Sequence, residues 1–340
     1  MRFFGRNEVT GVDIGAGSIK VVRIENGKRP KLLSAELIEL PLSQDDTGGS
    51  VAALASLVSE KKITGGSVVT RIPGRNLTIR HLTLPKMPPA ELREAVRWES
   101  KRYISYPLET AIIEYVVVGE KLEGTVDKYD ILIVAAPHSA VVEHLKPFAD
   151  AGIKLMAADA DALALRNVLR LRELQRDQNV LVADLGAGKT EINIFKNNNL
   201  RFSRCLETGG LEITRAISAL LGIGLQEAED LKMKTGLAPN AGDKVAALIR
   251  SRIDGIFLEI RRSVDYYKAS FREQRVERAI LTGGGSLMPG IVEHISDSFD
   301  GIVEPDDPFS AIRPEKQIQE LFGPLAPRFS TAVGLALRRA

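Results

Sequence analysis

Asp13 and Asp184 each end an apolar run, and each is followed by one apolar residue, Gly-Ala-Gly, a polar residue and a return to apolar sequence. The two stretches read Val12-Asp13-Ile14-Gly15-Ala16-Gly17-Ser18 and Ala183-Asp184-Leu185-Gly186-Ala187-Gly188-Lys189. The chemistry open to such a turn is anion capture, because a tight connection between two strands can aim successive backbone N–H groups at phosphate oxygens. Gly15, Gly17, Gly186 and Gly188 have no Cβ and are free to take positive φ, so the backbone can close on the anion. Asp13 and Asp184 beside phosphate would repel it, so a hard cation such as Mg2+ is expected between them, mainly through water. Two such loops facing each other would clamp one triphosphate. The phosphate-binding set is then Gly15, Ala16, Gly17 and Ser18 with Gly186, Ala187, Gly188, Lys189 and Thr190. Neither loop is a Walker A motif or a dinucleotide fingerprint opening a helix. One copy alone reads as an ordinary turn. The second copy, 171 residues later in a chain of 340, points to a duplicated domain.

A third cluster, Gly283-Gly284-Gly285-Ser286, follows the apolar run Ala279-Ile280-Leu281-Thr282. A strand, bare backbone and then a helix is a place where a flat base or a ribose phosphate can lie. The competing reading is a plain strand-to-helix turn.

The elements around these loops repeat as well. Ile19 to Ile24, an Asn26-Gly27 turn and Leu32 to Leu40 form one expected hairpin. Glu191 to Phe195, a polar turn over Lys196 to Asn199 and Leu200 to Leu206 form the other. Helices are expected over Val51 to Lys62, Leu211 to Leu221 and Leu225 to Thr235, and further short strands over Ser67 to Ile72 and Ala279 to Leu281. Between the halves, Thr78 to Gly152 reads strand, helix, strand, strand, helix. Its helix, Ala90 to Ile104, puts Leu92, Ala95, Val96 and Tyr103 on one face. Its strands are Ala111 to Val118 and Lys128 to Ala136, around a turn at Glu123-Gly124. The fold class is therefore α/β, with two duplicated halves and a small α+β module inserted in the first.

Composition bounds the function. The chain has 46 basic and 44 acidic residues, a formal charge of +2, which gives no bulk electrostatic case for nucleic acid or an anionic membrane. The single cysteine, Cys205, cannot make an intrachain disulfide and reads as a small core residue. The histidines His81, His138, His144 and His294 show no ligand spacing, so no structural metal is expected. No signal peptide is visible, and apolar runs such as Ile131 to Ala136 fall short of the ~18–20 residues that span a bilayer. The expectation is a cytoplasmic protein.

The three glycine elements in this order resemble the actin, heat-shock-chaperone and sugar-kinase ATPase superfamily, across nearly the whole chain. The resemblance implies an actin-like ATPase fold of two ribonuclease-H-like domains. Lys20 falls where actin carries a lysine that reaches the phosphates. Ala228-Glu229-Asp230-Leu231-Lys232 is similar to the helix that contacts ribose and adenine in bacterial actin relatives, with Glu229 and Lys232 as neighbours on one helix face. An exposed helical ion pair is the alternative. The adenosine set is then Glu229, Lys232, Gly283, Gly284, Gly285 and Ser286. Ala158 to Leu163 resembles the superfamily's connecting helix, with Asp161 as the candidate for orienting water, and Phe329 to Leu337 resembles its final helix.

The module follows Arg71-Ile72-Pro73-Gly74, as in the cell-division actin homologue FtsA and its relatives. The run Leu84-Pro85-Lys86-Met87-Pro88-Pro89, then Trp98-Glu99 and Tyr106-Pro107, closely resembles the type IV pilus assembly protein M (PilM) family; Ser105 stands where that family often has proline. The resemblance implies a cytoplasmic adaptor that binds ATP and Mg2+ and grips the N-terminal cytoplasmic tail of the membrane protein PilN. It implies membrane attachment through that partner, weak ATPase activity at most, and leaves self-association and contact with pilus motor components open. The divisions expected are 1–77 and 153–178 for the first actin-like domain, 78–152 for the module, 179–325 for the second domain and 326–340 for a terminal helix. A division-type actin is one rival, although this sequence shows no terminal amphipathic helix after a linker. A small-molecule kinase is another, with Asp159 or Asp161 as base.

Overall fold

The computed structural model describes residues 7–42, 47–60, 63, 67–237, 244–312 and 314–338, with backbone alone at 47–51. The expected helix end at Lys62 lies outside the described residues. Strands β1 (Glu8–Ile14), β2 (Ser18–Glu25) and β3 (Lys31–Glu39) form a meander, followed by α1 (Thr47–Ser59) and β4 (Ser67–Ile72). The module comprises β5 (Thr78–Pro85), α2 (Pro89–Ser100), β6 (Ala111–Glu123) and β7 (Val126–Pro137). The chain then enters α3 (His138–Asp150), β8 (Leu155–Ala160) and α4 (Asp161–Leu169).

The second half repeats the plan with β9 (Asn179–Leu185), β10 (Thr190–Lys196) and β11 (Asn199–Leu206), then α5 (Gly210–Leu221), α6 (Leu225–Thr235) and α7 (Lys244–Phe271). It ends in β12 (Arg278–Thr282), α8 (Ile291–Ser296), β13 (Ile302–Pro305), α9 (Lys316–Phe322) and α10 (Ser330–Ala336).

The two large sheets have the same order, β3-β2-β1-β4-β8 and β11-β10-β9-β12-β13. In each, the meander is antiparallel, and the strand carrying the aspartate pairs in parallel with its other neighbour. Those aspartate strands sit at the centre of their sheets, which explains their near-continuous apolar sequence: both faces are covered. Module strands form a third sheet, β5-β7-β6. The actin-like fold is thus present with its duplication and its insertion.

Several expected details differ. The Asn26-Gly27 turn is not a two-residue hairpin, since Glu25 pairs with Lys31 across a five-residue connection. Asn26 is spent elsewhere, its amide donating to Ala336 O at 2.8 Å. The two-residue turn lies instead in the second half at Asn197-Asn198, where φ is 52° and 60°, the geometry that asparagine tolerates. Residues Ala158 to Ala160 are strand, paired with Thr70 to Ile72, and the connecting helix starts at Asp161. Helix α2 ends at Ser100, leaving Tyr103 exposed in a turn. Gly284–Leu287 makes a single 3-10 turn before α8, so the triple glycine does not open a helix directly. The 28-residue α7 had no sequence expectation; its buried Ile249, Ile253, Ile256, Phe257 and Ile260 recur at helical spacing against the second sheet.

The first sheet is closed by α10. Gly11 of β1 lies against backbone of Ala332 and Ala336, and Gly334 lies against backbone of Ala164 in α4, approaches that leave no room for a Cβ. Phe309, Phe329, Ala332 and Val333 are fully buried there with Val22, Ile24 and Leu32. Helix α3 packs on the first half, where Phe148 is buried with Val12, Leu54 and Leu57.

Candidate functional site

The two Gly-Ala-Gly loops close in the same way. Gly15 N–H donates to Ser18 O at 3.0 Å and Gly186 N–H to Lys189 O at 2.9 Å. None of Gly15, Gly17, Gly186 or Gly188 takes positive φ, so the conformational reason expected for them is corrected: space is the reason. A Cβ on Gly17 would lie 3.3 Å from the Ala187 methyl, and a Cβ on Gly188 3.0 Å from the Ala16 methyl. Each loop therefore sets its alanine against the other's glycine, a reciprocal contact that brings both loops to one place. Among the described residues, the N–H groups of Ala16, Gly17, Ala187 and Gly188 donate no backbone hydrogen bond. Four donors at one point suit a polyanion.

The hydroxyls of these loops are occupied. Ser18 Oγ accepts from Arg328 at 3.0 Å, and Arg328 also holds Glu39 at 2.7 and 2.8 Å. Thr190 Oγ1 donates to Thr208 O at 2.9 Å. The second loop is further braced by α5, whose Gly210 and Leu211 N–H groups bond Gly186 O and Ala187 O at 3.0 and 2.8 Å. Gly209 packs on the same backbone with no space for a side chain. That Gly209-Gly210 pair is a loop brace that the sequence reading passed over.

Around the loops runs a buried ion network. Asp13 is held by Lys20 at 3.4 Å and by Arg71 Nε. Arg71 also bonds Ile14 O at 2.7 Å and Asp161 at 3.0 Å. Asp161 in turn meets Lys189 of the other half, and Lys189 meets Glu191. Gly74 lies against the Glu191 carboxylate, where a Cβ would collide. Burial pushes the Asp13 carboxyl up, but Lys20 and Arg71 outweigh it and hold it below the usual range. Asp161 is likewise held well below the usual range, since Arg71 and Lys189 together outweigh its burial. Among the described residues no cation pairs with Asp184; burial, partly offset by Lys189, raises it to about 6. Glu191 rises to about 8, through burial and the neighbouring Asp161 charge.

The profile of the family described as type IV pilus assembly protein PilM matches residues 11–340. The chain belongs to that family. It is a type IV pilus assembly protein with the actin-like ATPase fold. The solved PilM-PilN type IV pilus biogenesis complex is 28% identical with a TM-score of 0.83, covering 98% of this chain and 99% of that one. Cell division protein FtsA of Neisseria meningitidis serogroup B is 28% identical over 324 residues, 83% of this chain and 75% of that protein. MreB 5 of Spiroplasma citri bound to AMPPNP has a TM-score of 0.51 at 13% identity, covering 97% and 95% of the two chains, a likeness of fold.

The adenosine candidates fall in two groups within this family fold. Glu229 and Lys232 are not an exposed pair: Lys232 is buried, and its ammonium donates to Glu229 at 2.6 Å, Thr214 Oγ1 at 2.9 Å and Gly210 O at 3.2 Å. The cluster thus reaches the residue that braces the second loop. Gly283, with φ 81°, and Gly285 are pressed on Asp184 and Leu185, while a Cβ on Gly284 would meet open space. Ser286 Oγ donates to Gly283 O at 2.7 Å and shapes the turn. Arg71 and Glu191 are the site residues sequence reasoning missed. The available signal was a charge inside an otherwise apolar strand, which burial obliges to find a partner.

Proposed function

We propose that this chain is a nucleotide-binding adaptor of the pilus assembly platform, holding Mg-ATP against both glycine loops and the N-terminal tail of a PilN-type membrane protein beside its inserted module. The observation that carries the reading is the likeness to the PilM-PilN complex over almost the whole chain, module included. The residues present fit Mg-ATP: four backbone N–H groups without a backbone acceptor among the described residues, Lys20 for phosphate, Asp13 and Asp184 for the cation through water, and Gly284 as bare backbone for adenosine. The divisions that go with it are 1–77 and 153–178, 78–152, 179–325 and 326–340.

Hydrolysis is slow in this reading. A general base works best with a pKa near the operating pH, and Arg71 with Lys189 holds Asp161 far below it. Asp161 orients water at most. The tail lies where the module meets the first half. Strand β6 is the free edge of the module sheet, with Val116 and Val117 exposed, whereas Ile131 and Ile133 of β7 are buried in the module itself. A strand edge with apolar side chains takes an extended peptide. Among the described residues no helix is long and apolar enough to cross a membrane, so attachment comes through the partner.

Titration calorimetry with Mg-ATP and with a synthetic partner tail tests both parts. The wild-type chain binds both, and Asp13→Ala loses ATP alone. Unchanged ATP affinity in Asp13→Ala would sink the site, and no tail binding in wild type would sink the adaptor. The kinship with FtsA supports a second reading, a division-type actin, which predicts no affinity for a pilus-protein tail.

A further inference from the structure

The module is threaded into the first half, but its side chains also reach the second. Ile79 of β5 and Leu132 of β7 are buried in one cluster with Val180, Phe195 and Leu200 of the second sheet and with Leu165 and Leu169 of α4, the helix that joins the halves. Above that cluster His81 of β5 meets two acceptors, Leu200 O at 2.7 Å from Nε2 and Asp130 Oδ1 at 3.1 Å from Nδ1. Arg201 of β11 takes the other oxygen of Asp130 at 2.7 Å and lies 5.2 Å from the Phe271 ring at the end of α7. His81 meets the edge of the same ring at 6.0 Å. Asp130 is pushed up by burial but held at about 2 by hydrogen bonds from His81 and Arg201.

We propose that this latch, His81 and Asp130 of the module with Leu200 and Arg201 of the second half, makes the module a passenger of the second half, so that cleft closure on nucleotide moves it against the first half. The partner groove then changes shape with the nucleotide. This rests on the groove placement above. The physics is that of a rigid-body rotation about a hinge, with one packed interface kept and another altered. Packed interfaces shift as units because close-packed side chains do not deform continuously. Nucleotide and tail are thereby coupled, typically by about 5–150-fold in affinity.

Spin–spin distances on the full chain decide the matter. In a Cys205→Ser background, one label pair at Lys121→Cys and Arg252→Cys reports module against second half, and another at Lys121→Cys and Lys28→Cys reports module against first half; all three sites are exposed. On saturation with Mg-ATP, the first distance stays fixed and the second shifts by more than its own width. In Arg201→Ala, and independently in His81→Gln, the first distance broadens. A shift in the first pair with none in the second, or no shift in either with ATP bound by calorimetry, overturns the proposal, as does a latch variant that leaves the first distance sharp. Separate titration of the synthetic tail keeps a failure of the groove reading distinct, since the distances judge the latch without it.

Discussion

The two glycine loops have one backbone and two wirings. In the first, Lys20 and Arg71 both hold Asp13, so the aspartate is a committed carboxylate inside its own half. In the second, Lys189 turns away from Asp184 toward Asp161 and Glu191, joining the halves and leaving Asp184 raised to about 6. Duplication therefore preserved the turn while the charges specialised. The first loop is wired within its own half; the second is held to the other half through its lysine.

The comparison breaks most sharply in the nucleotide. Gly17→Val and Gly188→Val each put a branched side chain where the opposing alanine lies 3.3 or 3.0 Å from a Cβ. Both should weaken Mg-ATP by more than a hundredfold, about 3 kcal/mol, and calorimetry showing one of them near wild type would break the reciprocity. Next come the lysines. Lys189→Ala strips a buried cation from two carboxylates, a loss of about 3 kcal/mol by denaturant unfolding, whereas Lys20→Ala leaves Arg71 on Asp13 and costs about 1 kcal/mol. Equal losses would erase the difference between the wirings.

A further effect lies at the latch. Asp130 is depressed from 3.8 to about 2 in the folded chain. A depressed carboxylate contributes stability that is complete above its unfolded pKa and lost as pH falls through its folded one. The contribution, about 2 kcal/mol, should disappear between about pH 4 and pH 2, and in Asp130→Asn that part of the acid slope should be missing. Smallest is Gly284→Ala, which enters open space and should leave stability within about 0.5 kcal/mol while weakening Mg-ATP a few-fold. Gly283→Ala, at φ 81° against Asp184, should instead unfold more readily in a thermal melt.

Much of the fold was legible because its signals are local. The repeat of Asp, apolar residue and Gly-Ala-Gly at half-chain spacing, and the apolar runs around it, foretold the two sheets, and the α6 bounds at Leu225 and Thr235 fell where the sequence put them. Turn chemistry misled at Asn26-Gly27, where the asparagine amide answers a carbonyl 310 residues away. What stayed hidden depends on partners far apart in sequence. Arg71 reaches Asp13 and Asp161 across 58 and 90 residues, and His81 reaches Leu200 across 119. A buried charge announces that it has a partner, without saying which.

The closing of the first sheet by α10 has a consequence for synthesis on the ribosome. β1 emerges early, yet the backbone that covers Gly11 and the carbonyl that Asn26 bonds belong to Ala332 and Ala336. At about 5–20 residues per second, the residues between take on the order of 15–60 seconds to make. The second sheet has all its strands by Pro305 and can pack first. The half translated first is therefore the half completed last, its apolar back face waiting for α10 to leave the exit tunnel.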